Sequence, residues 1–330
     1  MRTKFLVALA ALTCSARAAA EAPSSDVWSH LLATAGNVPS LLAPGVISTG
    51  DDESHPTPAP DGRTLFYLKN TPSFDLWTIV YTDLRQGTWS RPKTAPFSGQ
   101  FADADLVFTA DGRRAYFVSK RPVNGEPRTD TEIWTIAREA DGRWGEPRHV
   151  AELSSPGDEW FPTLTAQGTL YFGSTRPGSL GGCDIWRSRL VDGVFQPPEN
   201  LGAPINSAGE EIEAFVTPDE RLLVIAARNR GDEVGAYDLY VSRRQGDRWE
   251  APRNLGKRVN SPAWEFSPRL SPDGALLLFT SNRGFGSAPL DQPLAFDELE
   301  QRLRAPGNGL RDIYVIRTDE LWPFDVGTSR

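Results

Sequence analysis

The sequence predicts an all-β protein, a five-bladed β-propeller closed by a strand from its N-terminal segment, and three observations predict it. A turn signal recurs every 50 to 56 residues, at Asp61-Gly62, Asp111-Gly112, Gln167-Gly168, Asp219-Glu220 and Asp273-Gly274. Proline and aspartate pre-set such a turn and glycine takes its left-handed position, so the fourth copy, with Glu220, is expected to turn differently. A short apolar run follows each turn, from Leu65-Phe66-Tyr67-Leu68 to Leu276-Leu277-Leu278-Phe279. Such runs suit a strand covered on both faces. An acid-led strand comes next, at Asp75, Glu132, Asp184, Asp238 and Asp312, then an outer block reading Trp89 to Pro92, Trp144 to Pro147, Phe195 to Pro198 and Trp249 to Pro252. Four short strands in roughly 50 residues, repeated, are the signature of propeller blades.

Met1 to about Ala20 combines Arg2 and Lys4, the apolar run Phe5 to Leu12, and small residues around Ala16 to Ala20. That is the pattern of a secretory signal, too short to span a bilayer, and it places the mature chain in the periplasm or outside the cell. Cys14 follows Leu12-Thr13, a poor lipidation context, so a lipoprotein is not expected. The chain carries 35 basic and 43 acidic residues; losing Arg2, Lys4 and Arg17 leaves 32 against 43, a formal −11. An acidic body without a basic stripe argues against nucleic acid and against insertion into membranes. Cys183 alone remains after the signal, so no intrachain disulfide is available; before a strand it reads as buried filler. His30, His55 and His149 lack metal-ligand spacing.

Ser25-Asp26 offers a cap for a short helix through Leu32, within an N-terminal segment of residues 21–43. The single propeller domain is expected over 44–330. Its fifth copy lacks a complete fourth strand, which Pro44 to Ile47 can supply, leaving no free sheet edge and favouring a monomer. A sixth blade is the alternative if the N-terminal segment builds more than one strand. One long insertion, 284–311, interrupts blade five; Leu294 to Leu303 suits a short helix there, and the loop is a candidate lid over the central channel.

The Pro-Asp-Gly turns, the Ser-x-Arg tails at Ser119 to Arg121, Ser174 to Arg176 and Ser281 to Arg283, and the Asp-Ile-Trp strand together resemble the TolB-type, WD-like propeller repeats of exported bacterial proteins. The resemblance covers roughly Ile47 to Tyr314. It implies the fold, while relatives on this fold serve as interaction modules, peptidase accessory domains and polysaccharide-active enzymes. Unlike TolB itself, this chain shows five repeats rather than six and no separate α/β domain.

Eight residues before each turn stands an acid: Glu53, Asp103, Glu159, Glu211 and Glu265. Arg121, Arg176, Arg228 and Arg283 lie opposite in blades two to five, so these acids read first as framework ion pairs, about 0.2–1 kcal/mol each. Blade one has Lys69-Asn70 instead. Two residues past the acids, His55, Asp105 and Glu213 are surplus polar groups near one mouth. Trp160 and Trp264, off the pattern of core tryptophans, flank two of the opening acids at the same mouth. Together these five are the expected binding residues for a protein or glycan, because a flat apolar ring and acceptors work jointly on such ligands. The alternative is a glycan hydrolase or lyase drawing its acid, base or nucleophile from Glu53, Asp105, Glu159 and Glu213, with His55 carrying a proton. No cofactor is expected; calcium at Asp103-Ala104-Asp105 or Asp130-Thr131-Glu132 would be unspecific.

Overall fold

The computed structural model describes residues 26–271, 273–285, 290, 292–319, 321 and 322. The expected signal segment, with Cys14, lies outside them. Five antiparallel sheets, four-stranded in blades two, three and five and five-stranded in blades one and four, form five blades, with no sixth among the described residues. The innermost strands are Asp52–Pro58, Asp103–Phe108, Glu159–Leu164, Glu210–Val216 and Glu265–Leu270. Each is joined through its turn to a second strand and then to a third that begins with the repeat's acid-led motif, except in blade one, which starts at Trp77. Glu220 takes the same left-handed conformation, φ 59°, as Gly62 and Gly274 at 65° and 72°, so the fourth turn does not differ as expected. Its carboxylate is held there by Tyr171 and Arg244.

Two strand assignments move. The outer strands lie just beyond the expected blocks, at Lys93–Thr94, Arg148–His149, Glu199–Asn200 and Arg253–Asn254. The reason is the proline that ends each block: it has no N–H to donate, so pairing with the third strand starts after it. The tryptophan or phenylalanine before it instead folds back onto the distal end of the third strand, as in Leu84 with Trp89 and Arg244 with Trp249. The closing strand is Ser40–Leu41, paired with Val315 and Tyr314, rather than residues 44–47. Residues 43–48 make a tight turn after it, and Leu42 and Ile47 are buried between blades five and one.

Helix α1, Asp26–Thr34, packs across the same seam on the turn side, with Trp28 buried and donating its indole N–H to Gly62. The blade-five insertion contains helix α2, Phe296–Arg304. This helix sits at the rim where blades five and one meet, Arg304 against Gly50 and Asn308 bonded to the Gly50 carbonyl, instead of forming a lid over the axis. Among the described residues no helix is long and apolar enough to cross a membrane.

Blades are tied to one another by one repeated bond. The backbone N–H of the opening acid donates to the carbonyl before the third strand of the preceding blade: Glu159 to Thr131, Glu211 to Cys183, Glu265 to Tyr237, and Glu53 to Arg311 across the closure.

Candidate functional site

The five opening acids are fully buried, and their partners explain why. Arg121 meets Asp103 at 2.7 Å, Arg176 meets Glu159 at 2.9 Å and Arg283 meets Glu265 at 3.0 Å. Each arginine also donates to a backbone carbonyl of the segment leading into its blade, at Phe97, Leu153 and Val259. Except at Asp103, a serine or threonine four residues before the acid completes the staple, as Ser261 does for Glu265. Blade four departs from expectation. Glu211 pairs with Arg230 at 2.5 Å, while Arg228 pairs with Glu210 at 2.7 Å. The cause is that Ala227 stands opposite Glu211 where blades two, three and five have serine, and Asn229 at φ 61° turns the chain so that the later arginine swings in. In blade one Lys69 does the work, bonded to Glu53 and to Asp51 at 2.8 Å. Glu53 and Glu159 are therefore parts of the frame. Burial pushes Glu159 up to about 7 against the pull of Ser155 and Arg176.

Two residues further along each inner strand, every blade carries a bulge or register shift. His55, Asp105, Phe161 and Ser267 adopt φ of 47° to 57° there. Bulges re-aim side chains, and a left-handed non-glycine residue is uncommon enough to call for a reason. Here the reason is convergence on the axis. His55 Nε2 lies 3.2 Å from Asp105 Oδ1 and 3.2 Å from Glu213 Oε1. Its hydrogen bond runs to Glu213, with Asp105 at the same distance but off its line. Nδ1 contacts the Ser54 hydroxyl at 2.7 Å. Asp105 accepts the Phe161 N–H at 2.8 Å, and Glu213 accepts that of Ser267. So the three surplus groups form one cluster contributed by blades one, two and four.

The cluster is closed to solvent, with His55, Asp105 and Glu213 at 8%, 1% and 5% exposure. Burial alone would lower the pKa of His55, but the carboxylates of Asp105 and Glu213 outweigh it and hold the ring protonated above its ordinary value. Burial raises Asp105, with His55 pulling it down and Glu213 pushing it up.

One layer further toward the turns lies Arg269, buried, its guanidinium 3.8 Å above the Phe161 ring and its Nη2 donating to the carbonyls of Pro162 and Leu106 at 3.3 and 3.4 Å. Sequence reasoning missed it, although stepping the repeat four positions past the opening acids gives Thr57, Val107, Thr163, Phe215 and Arg269. Two cations and two anions thus occupy the axis, which balances their charge.

The strand-entry face holds the two tryptophans, because Trp160 and Trp264 both sit where an inner strand begins. They differ in role. Trp160 of blade three packs 5.7 Å from Trp77 of blade one, bridging over the intervening blade, and Trp77 packs on Phe74 at 5.9 Å. Trp264 is 43% exposed, edge-on to Tyr237, and borders a small cavity of about 220 Å³ shared with Asp52, Pro72, Asn282, Leu310 and Arg311. Arg311 lies 3.5 Å over Phe74 and is fixed to Asp52 at 2.8 Å. The Asp52–Arg311 pair was also invisible in the sequence, since its members are separated by almost the whole ring.

The two carboxylate steps considered for calcium are occupied by the chain's own cations: Arg121 on Asp103, His55 on Asp105, and Arg128 on Asp130 and Glu132. Among the described residues no group of three or more His, Cys, Asp or Glu is disposed to hold a metal ion. Cys183 is buried, and burial pushes its thiol well up, as suits a filler.

No family model and no curated protein matches the sequence. Solved structures do resemble it. TolB from Acinetobacter baumannii aligns at 15% identity and TM-score 0.47 over 82% of this chain, which spans 55% of that one. The catalytic domain of an α-L-arabinofuranosidase from Coprinopsis cinerea aligns at 12% identity and TM-score 0.48 over 86% of this chain and 98% of that one. A periplasmic gluconolactonase from Pseudomonas aeruginosa aligns at 17% identity and TM-score 0.37, over 70% of this chain and 66% of that one. Likenesses this distant, to proteins of three different functions, assign none of them here.

Proposed function

We propose that the protein is an exported, non-catalytic propeller that binds a partner protein or a glycan on its strand-entry face, with Trp264 as the anchor. The observation that carries this is Trp264 itself: a large aromatic ring left 43% exposed beside a small cavity whose polar groups, Asp52, Asn282 and Arg311, are already held in place. A rigid aromatic next to pre-positioned polar groups is how binding hot spots are built. Export rests on the N-terminal pattern of residues 1–20.

The glycan-cleaving alternative is weaker. A catalytic carboxylate must reach the scissile bond, whereas Asp105 and Glu213 are buried and already engaged with His55 and with backbone N–H groups. Glu53 and Glu159 are likewise locked to Lys69 and Arg176.

Two panels, polysaccharides and candidate partner proteins of the same compartment, screened by affinity against the mature chain with and without calcium, test the proposal. Trp264→Ala is expected to weaken an identified interaction about tenfold or more, roughly 2 kcal/mol for a hot-spot aromatic, while leaving the melting temperature unchanged. Binding should persist without calcium. A ligand held as tightly by Trp264→Ala as by the parent would overturn the assignment. So would turnover of a polysaccharide that vanishes in Asp105→Asn or Glu213→Gln while those variants remain folded.

A further inference from the structure

The blade-five insertion turns an apolar surface to solvent. Five of the twelve large apolar side chains exposed among the described residues belong to it: Phe285, Leu290, Phe296, Leu299 and Leu303. The last three follow one another at steps of three and four along helix α2, so they share one face. Phe296 is 71% exposed and Leu303 56%, and none of the nine residues of the helix is buried. The helix meets the ring at its C-terminal end, where the Arg304 backbone lies against Gly50. A helix of this length is marginal in water by itself and draws its stability from packing an apolar face. Here most of that face lies open to solvent.

We propose that the occupant of this face is a second copy of the chain, the two α2 helices packing antiparallel across a two-fold axis near Glu300. The charges of the helix select that occupant. Its first turn carries Asp297 and Glu298, and its last carries Arg302 and Arg304. Glu298 and Arg302 lie to one side of the apolar stripe, Asp297 and Arg304 to the other. A two-fold axis reverses the helix and keeps each side facing its own kind, so Glu298 of one copy falls level with Arg302 of the other, and Asp297 with Arg304. Each pairing is made twice. Phe296 of each copy then covers Leu303 of the other. Glu300 meets its own copy near the axis, where Arg304, bonded to it at 2.8 Å, screens the repulsion. A parallel arrangement would set acid beside acid and base beside base, and a partner of one charge sign would be repelled by half of the helix. The stripe, with Phe285 and Leu290, offers on the order of a few hundred Å² per copy, below the roughly 800 Å² per partner of a standard interface. The dimer is therefore reversible, and dilute solutions hold the monomer.

Sedimentation equilibrium of the whole mature chain, run from about 1 µM to about 1 mM, tests the proposal. A monomer–dimer equilibrium with a dissociation constant on the order of 100 µM is expected, the scale of a small, reversible interface. Leu303→Lys, at an exposed position, should abolish the dimer and leave the melting temperature unchanged. Glu298→Lys and Arg302→Glu should each weaken it about tenfold or more, because each sets like charges across the axis. An equimolar mixture of those two variants should associate as the parent does, a recovery that only opposed copies of one helix give. Trp264→Ala should leave the equilibrium unchanged, so failure here is distinguishable from failure of the entry-face reading. A chain monomeric throughout that range, even one whose α2 face another protein covers, would overturn the proposal. So would a dimer indifferent to Leu303→Lys, or a mixture of the charge variants that stays monomeric.

Discussion

His55, Asp105, Phe161 and Ser267 all sit in the left-handed region, at φ between 47° and 57°. Such conformations cost about 1 kcal/mol or more each for residues other than glycine. They persist because each re-aims its residue at the axis, where a histidine lies between two carboxylates from other blades. Removing the histidine leaves two buried carboxylates without their cation. His55→Asn is therefore expected to destabilise the fold by about 3 kcal/mol in urea denaturation, the usual cost of orphaning a buried charge. The pH dependence follows from the raised pKa of His55. The native state keeps a proton that the unfolded chain has released, so this contribution is complete below about 6.5 and is lost as pH rises through the folded value. Denaturation series at neutral and mildly alkaline pH should show a steeper decline in the parent than in His55→Asn. That these three residues are surplus to the framework was legible in the sequence. That they form one buried cluster was not, because nothing local encodes which blades meet at the axis.

At the level of the strand, the acid that opens the third strand has a graded set of partners. Asp184 accepts from the N–H groups of Leu180 and Gly181 and from Asn200, and Asp238 accepts from those of Val234 and Gly235 and from Asn254. Both asparagines belong to the fourth strand of their blade. In blade five that strand comes from the N-terminal segment, and Asp312 is left with one bond, from Gly307 at 2.8 Å, and with one oxygen unpartnered among the described residues. Burial, with Glu53 and Asp52 nearby, pushes Asp312 up to about 7. A carboxyl whose folded pKa is raised holds a proton in the native state, so its contribution to stability is lost as pH rises from about 4 through 7. Asp312→Asn should remove that loss. The variant is expected to match the parent below about pH 4 and to gain on it as pH rises, by on the order of 3–4 kcal/mol at pH 8, measured by urea denaturation. The repeat predicted an acid at this position; its differing environment in blade five follows from a strand borrowed from the other end of the chain.

For the whole molecule, the decisive contact is the seam between blades five and one. Ser40–Leu41 covers the outer edge of the last sheet, and Leu42, Ile47 and Trp28 fill the space behind it. A chain beginning at residue 44 lacks this strand and is expected to expose the Asp312–Arg317 edge and self-associate, which size-exclusion chromatography reads directly. Leu42→Ala, with the strand intact, should remain monomeric and lose about 3 kcal/mol. A monomeric, equally stable chain from residue 44 would show that the seam is not what closes the ring. The sequence by itself determined the blade count, the alternation of turn and strand, and the framework acids, because each is written at a fixed offset within one repeat. The closing strand's position, the partner of Glu211, the placement of helix α2, the burial of the His55 cluster and the unbonded guanidinium of Arg269 were decided only by tertiary structure. They depend on contacts between copies, and a repeat that fixes each blade's internal hydrogen bonds says nothing of what five non-identical side chains do when the ring brings them to one axis.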